Sequence, residues 1–183
     1  MVNMGLIVVI AVVVLALAAL AFGGFLLFRT LGAGRRKRAV VALIGRKEAI
    51  VASYRALWNI VERLAGATDE DLHRFSSDPR DEERRAFDEV ASQMHIMEDQ
   101  LKNTDVSRSL EGVVMTMEDA ARLIFEAAST VNGGGESEPL VAASEIDFAI
   151  ISDAVARMES ELHQAAERNH VDDRSVYGGG LYI

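Results

Sequence analysis

From Leu6 to Phe28 the chain reads LIVVIAVVVLALAALAFGGFLLF, 23 residues with no charged side chain and no proline. No other feature limits the fold as strongly. As a helix this run would extend about 35 Å at about 1.5 Å per residue, against a bilayer hydrocarbon core of about 30 Å. A water-soluble domain rarely needs such a segment. The run predicts a transmembrane helix over residues 6–28, with residues 1–5 as a short extracytoplasmic N-terminus. Within it Ala19 and Gly23, four apart and next to Gly24, offer a small-residue face for a second membrane helix.

Charge is divided as unevenly as hydropathy. Residues 1–47 carry seven basic side chains, Arg29, Arg35, Arg36, Lys37, Arg38, Arg46 and Lys47, and no acid. The chain as a whole has 19 Lys and Arg against 28 Asp and Glu, which leaves 12 against 28 beyond Lys47, a formal charge of −16. A body so acidic repels phosphate backbones, which argues against nucleic-acid binding. Basic residues close behind a span hold their side in the cytoplasm. Nothing in the N-terminal flank opposes the seven cations, so the expected topology is an outside N-terminus and a cytoplasmic body. Contact with anionic head groups is a second role open to the cluster, worth about 1 kcal/mol per basic residue near the surface. A signal peptide would place basic residues before a shorter apolar run and a small-residue cleavage site after it. Here the order is reversed, and Gly32-Ala33-Gly34 only loosely imitates such a site.

Beyond residues 29–38, read as a basic juxtamembrane hinge containing Gly32 and Gly34, a helical pattern starts near Lys37. Ile50, Tyr54, Leu57, Val61 and Leu64 recur at steps of four and three, with Gly66 as the stop. Thr68 followed by Asp69-Glu70-Asp71 reads as a helix cap with acids in the first turn. Asp78-Pro79 reads as a new start, with Asp78 capping and Pro79 at the first helical position. Phe87, Val90, Met94, Met97 and Leu101 then form one seam. Leu110, Val113, Met117, Ala120, Ile124, Ala127 and Val131 form the next. After the loop Asn132–Glu138, Pro139 can open a helix whose seam is Phe148, Ile151, Val155, Met158, Leu162 and Ala165. Narrow stripes of this kind bury only against one another. The expected fold class is all-α: the transmembrane helix followed by an antiparallel helical bundle or coiled coil over residues 39–170. Residues 171–183 read as a flexible C-terminal tail, or as a tethered ligand ending in Leu181-Tyr182-Ile183.

Chemistry finds little support in the residue pattern. The chain has no cysteine, which excludes disulfides, thiolate metal sites and a cysteine nucleophile. Two Glu-x-x-His segments, Glu70–His73 and Glu167–His170, match half of a di-metal bundle signature. Both lie in charged stretches at helix ends, whereas such ligands must project into the core. His95 and His163 flank seams with no nucleophile spaced to be activated. The methionines at 94, 97, 115, 117 and 158 read as adaptable packing, and Trp58 as core.

An extracellular N-terminus, one span and a cytoplasmic set of long helices resemble, in plan, the LemA family of bacterial membrane proteins. The resemblance matches no motif residue, and implies an architecture without site residues. The sequence therefore leads to a single-pass membrane protein whose cytoplasmic helices form an interaction or assembly module, with no catalytic activity and no cofactor. Its expected partners are the lipid bilayer and another protein, or further copies of itself, through the helical seams. The alternative is an exported or periplasmic helical binding protein, processed or inverted. A metal-dependent bundle enzyme ranks third.

Overall fold

The computed structural model describes the backbone of residues 4–134 and 138–171, and side-chain surroundings for residues 34–133 and 138–171. All regular structure among these is helical: α1 (Met4–Ala65), α2 (Asp69–Ser77), α3 (Glu82–Lys102), α4 (Glu111–Ser129), α5 (Pro139–Ser144) and α6 (Phe148–Arg168). A 3₁₀ turn, Arg108–Leu110, precedes α4, and a π turn, Thr130–Gly134, follows it. Among the described residues no helix is long and apolar enough to cross a membrane. The side chains of Leu6–Phe28, with Ala19 and Gly23, and the tail beyond Val171 lie outside the described residues.

The C-terminal part of α1 joins α3, α4 and α6 in a four-helix bundle, in which α4 packs against the other three. Direction follows from paired residues. Arg46 meets Thr104, Ser53 meets Gln93 and Arg63 meets Glu83, so α3 runs back along α1. Arg84 meets Asn132 and the His95 ring lies beside Phe125, so α4 reverses again. Tyr54 and Trp58 of α1 contact Phe148 at the start of α6, which returns alongside α1. The order is up-down-up-down. One end of the bundle, its base, gathers Val40, the α3–α4 connection and the end of α6. The far end gathers Gly66, α2, the π turn and α5.

The seams read from the sequence face one another within this chain. Leu57, Phe87, Met94, Met117, Ile124 and Met158 are all buried. Burying each such side chain is worth about 1.5–3 kcal/mol against exposure. Ala120, Ala121, Ala128, Ala154, Ala165 and Ala166 are buried too, and their small side chains let α4 and α6 approach their neighbours closely.

Several expectations need correction. The helix does not break at Gly32 and Gly34; both lie within α1, because a glycine costs a helix about 1 kcal/mol but does not end one. Packing also begins earlier than the first seam, at Val40, Leu43 and Ile44. Pro79 does not open a helix. Asp78 closes α2 through its N–H to the Arg74 carbonyl, and the turn from Asp78 to Asp81 carries Pro79 at its second position, which suits a fixed φ. The cap of α3 is Asp81, whose carboxylate accepts from the Glu83 N–H at 2.9 Å. Pro139 does open a helix, but a short one. A second start follows at Asp147, which accepts from the N–H groups of Ala149 and Ile150. Trp58 is not core: it is 48% exposed, edge-on to Phe148 at 4.8 Å between ring centres. Met115 likewise faces outward. The Thr68 cap is present as a full capping box with Asp71.

The π turn is held by Asn132. Its amide donates to the Arg84 carbonyl at 2.6 Å and to Asp88 at 2.7 Å, and its oxygen accepts from Arg84 Nε at 2.9 Å. Gly133 follows at φ 122°, a backbone state that side chains disfavour, and so releases the chain from α4. On the α1–α3 side, Arg63 makes a two-point contact with Glu83, both distances 2.7 Å, at an exposed position. Exposed pairs contribute about 0.2–1 kcal/mol, whereas losing the partner of a sheltered polar group costs about 1–3 kcal/mol. Asn132→Ala is therefore predicted to destabilise the chain more than Arg63→Ala in urea unfolding. The reverse order would show that the π turn is not a structural tie.

Candidate functional site

Arg35, Arg36, Lys37 and Arg38 are consecutive residues of one helix, and all four are exposed. Successive helical residues turn by about 100°, so four in a row point around the full circumference. They form a collar, not a stripe. Ala39 is the next residue and Val40 is fully buried, so the collar lies immediately outside the base of the bundle. Beside it, Arg35, Arg36 and Ala39 share a shallow groove of about 450 Å³ with Asp105, Val106 and Ser107 of the α3–α4 connection.

The remaining cations of the cluster sit differently. Arg46 is half-buried and donates to the Thr104 hydroxyl at 2.6 Å. That hydroxyl in turn donates to the Gln100 carbonyl. Arg46 thus ties α1 to the end of α3 within the bundle. Lys47 is half-buried and pairs with Glu48 at 3.0 Å. Arg29 lies outside the residues whose side chains are described.

The histidines do not converge. Glu70 and His73 lie on α2 at the far end, while Glu167 and His170 lie at the base, so the two Glu-x-x-His segments share no site. Among the described residues, no group of three or more His, Asp or Glu is placed to hold a metal ion. His95 and His163 are exposed, with Asp99 at 3.9 Å and Glu167 at 3.4 Å as their nearest carboxylates.

Spacing gave no warning of the one buried acid among the described residues. Glu98 occupies a seam position of α3 and is buried to 8% exposure, which is tolerable because Lys102, one turn on, meets it at 2.6 Å. The hydrogen bond that the Lys102 ammonium donates to this carboxylate is the main reason it is held above its ordinary value. Glu118 of α4 is close enough to feel both charges. Burial, above all, raises its carboxyl; Lys102 opposes the rise, and Glu98 and Asp119 add to it. Through these charges α3 and α4 influence one another.

A raised carboxyl binds its proton more tightly in the folded chain than in the unfolded one. Folding is therefore penalised as pH rises from the ordinary carboxylate range through the raised value, and the penalty is complete above it. Glu118→Gln is predicted to raise the Tm at neutral pH, with the advantage fading as pH falls into the ordinary carboxylate range. A lower Tm for the variant at neutral pH would mean that attraction to Lys102 outweighs burial.

Compared with known proteins, the chain matches no family model, no curated relative and no solved structure.

Proposed function

We propose that this chain is a single-pass membrane protein whose helical body is a non-catalytic interaction or assembly module on the cytoplasmic side. The collar is the observation that carries this function. A basic stripe on one face would suit a helix lying along a surface, but a full ring suits a helix that leaves the surface upright. Along a helical path, Arg35 to Arg38 stand about 10–15 Å beyond Phe28, close to the outer limit of the head-group layer. There they face anionic head groups within about one Debye length.

Support for an interaction module comes from the body itself. Its core is apolar; among the described residues Ser53 and Glu98 are the buried polar ones, and both have partners, Gln93 and Lys102. Its outward side chains are mostly charged or polar, and they include apolar ones, among them Trp58 and Ile150. Such a surface offers contacts and little means of activating a bond.

Extraction at alkaline pH tests the anchor. The full chain is expected to stay with the membrane pellet, because an inserted helix resists conditions that strip surface-bound proteins. Val14→Arg together with Leu17→Arg places two charges at the middle of the run, each costing about 2.5–3.5 kcal/mol on insertion scales. This double variant is expected in the supernatant. Release of the unaltered chain would exclude a spanning anchor.

A further inference from the structure

At the far end of the bundle, α4 and the α5–α6 corner leave an open groove of about 310 Å³. Its floor is apolar, with Leu123 from α4 and Ile146 and Ile150 from the corner. Ile150 is 53% exposed, because it precedes the buried Ile151 by one residue and so points about 100° away from the core. The groove has room for one or two large apolar side chains.

Its rim carries a single sign. Glu126 stands on one wall, Glu145 and Asp147 on the other, and no lining residue is basic. Glu126 shares its charge with Arg122 at 3.0 Å, and one Asp147 oxygen caps α6. Glu145 makes no ion pair among the described residues. More acids gather at the same end, on α2 and at Glu138 before α5.

We propose that this groove docks a basic segment of a partner protein, through an apolar side chain seated on Leu123 and Ile150 with Lys or Arg on either side. The inference rests on the interaction-module function above and adds the place and the chemistry of the partner. Charge complementarity selects the occupant: an acidic rim disfavours an acidic or neutral segment and steers a cationic one. The apolar floor makes the contact more than charge attraction, since a seated anchor loses water. The long axis of the bundle separates this groove from the basic collar, so the end that attracts cations points away from an anionic membrane.

The test titrates the full chain, in a non-ionic detergent, with a fluorescent amphipathic peptide of Leu and Lys at helical spacing. Two counterparts serve as references, one with Glu in place of Lys and one with Ser in place of Leu. The Leu/Lys peptide is expected to bind at least about tenfold more tightly than either, and more weakly as salt rises. Ile150→Ser and the pair Glu126→Lys with Glu145→Lys are each expected to weaken it by about tenfold or more. Ile96→Ser, at another exposed apolar site, is expected to leave it unchanged, and Asp69→Lys with Glu70→Lys on α2 to weaken it much less than the groove pair does. Equal weakening by the α2 reversal would overturn the proposal in favour of general attraction to an acidic body. Unchanged binding in the groove variants, or equal binding of the Leu/Glu peptide, would overturn it too. None of these outcomes depends on membrane insertion, so failure of the groove and failure of the anchor are read in separate experiments.

Discussion

The apolar stripe of α1 from Val40 to Leu64 is the surface on which the rest of the body assembles. α3, α4 and α6 all pack against this helix, and it carries Val40, Leu43, Ile44, Ile50, Leu57 and Ile60 at 2% exposure or less. Each of the other long helices likewise has one apolar face, which it buries against that stripe or against a neighbour already on it. The same helix bears the collar one residue before Ala39, the first residue packed against the core. Basic ring and core spine therefore follow one another along a single helix, so the collar joins the bundle without an intervening loop.

Around this spine, several of the direction-setting contacts are polar and sit near the ends of the helices. Arg46 with Thr104 marks the base, while Arg63 with Glu83 and Asn132 with Arg84 and Asp88 mark the far end. Between them the contacts are mostly apolar, with Ser53 and Gln93 as a polar exception, and methionine and alanine there adapt readily to their neighbours. The end contacts define register; the middle supplies most of the burial. This division puts most charged groups of the described residues on the outer faces and the two ends.

Much of this was legible in the residues. Steps of three and four placed Leu57, Val90, Met94, Ile124 and Met158 in the core, and Thr68 announced its helix. The collar was legible as four adjacent letters, though its full exposure depended on knowing where packing begins. Val40 to Ile44 escaped notice because basic residues and Gly45 flank a short apolar group, which blurs its period. Asp78-Pro79 resembled a start because a cap and a turn use the same residues; Asp81, two residues on, competes better for the first N–H groups of α3. Trp58 was misplaced because size and apolarity do not reveal which side of α1 meets α6. Glu98 was invisible at a seam whose other members are apolar. The acidic groove could not be read at all, since its walls come from α4 and from a corner separated from it by the π turn and a loop.

The most direct test of the central claim uses a chain with no cysteine of its own. Ser160 is exposed on α6, clear of the core, of the collar and of the far-end groove. With Ser160→Cys introduced, intact cells are treated with a membrane-impermeant thiol reagent, and the treatment is repeated after lysis. Labelling only after lysis is the predicted result, and it would place the bundle on the cytoplasmic side of the collar. Labelling in intact cells would contradict it, and would make the bundle a module of the envelope or the cell surface.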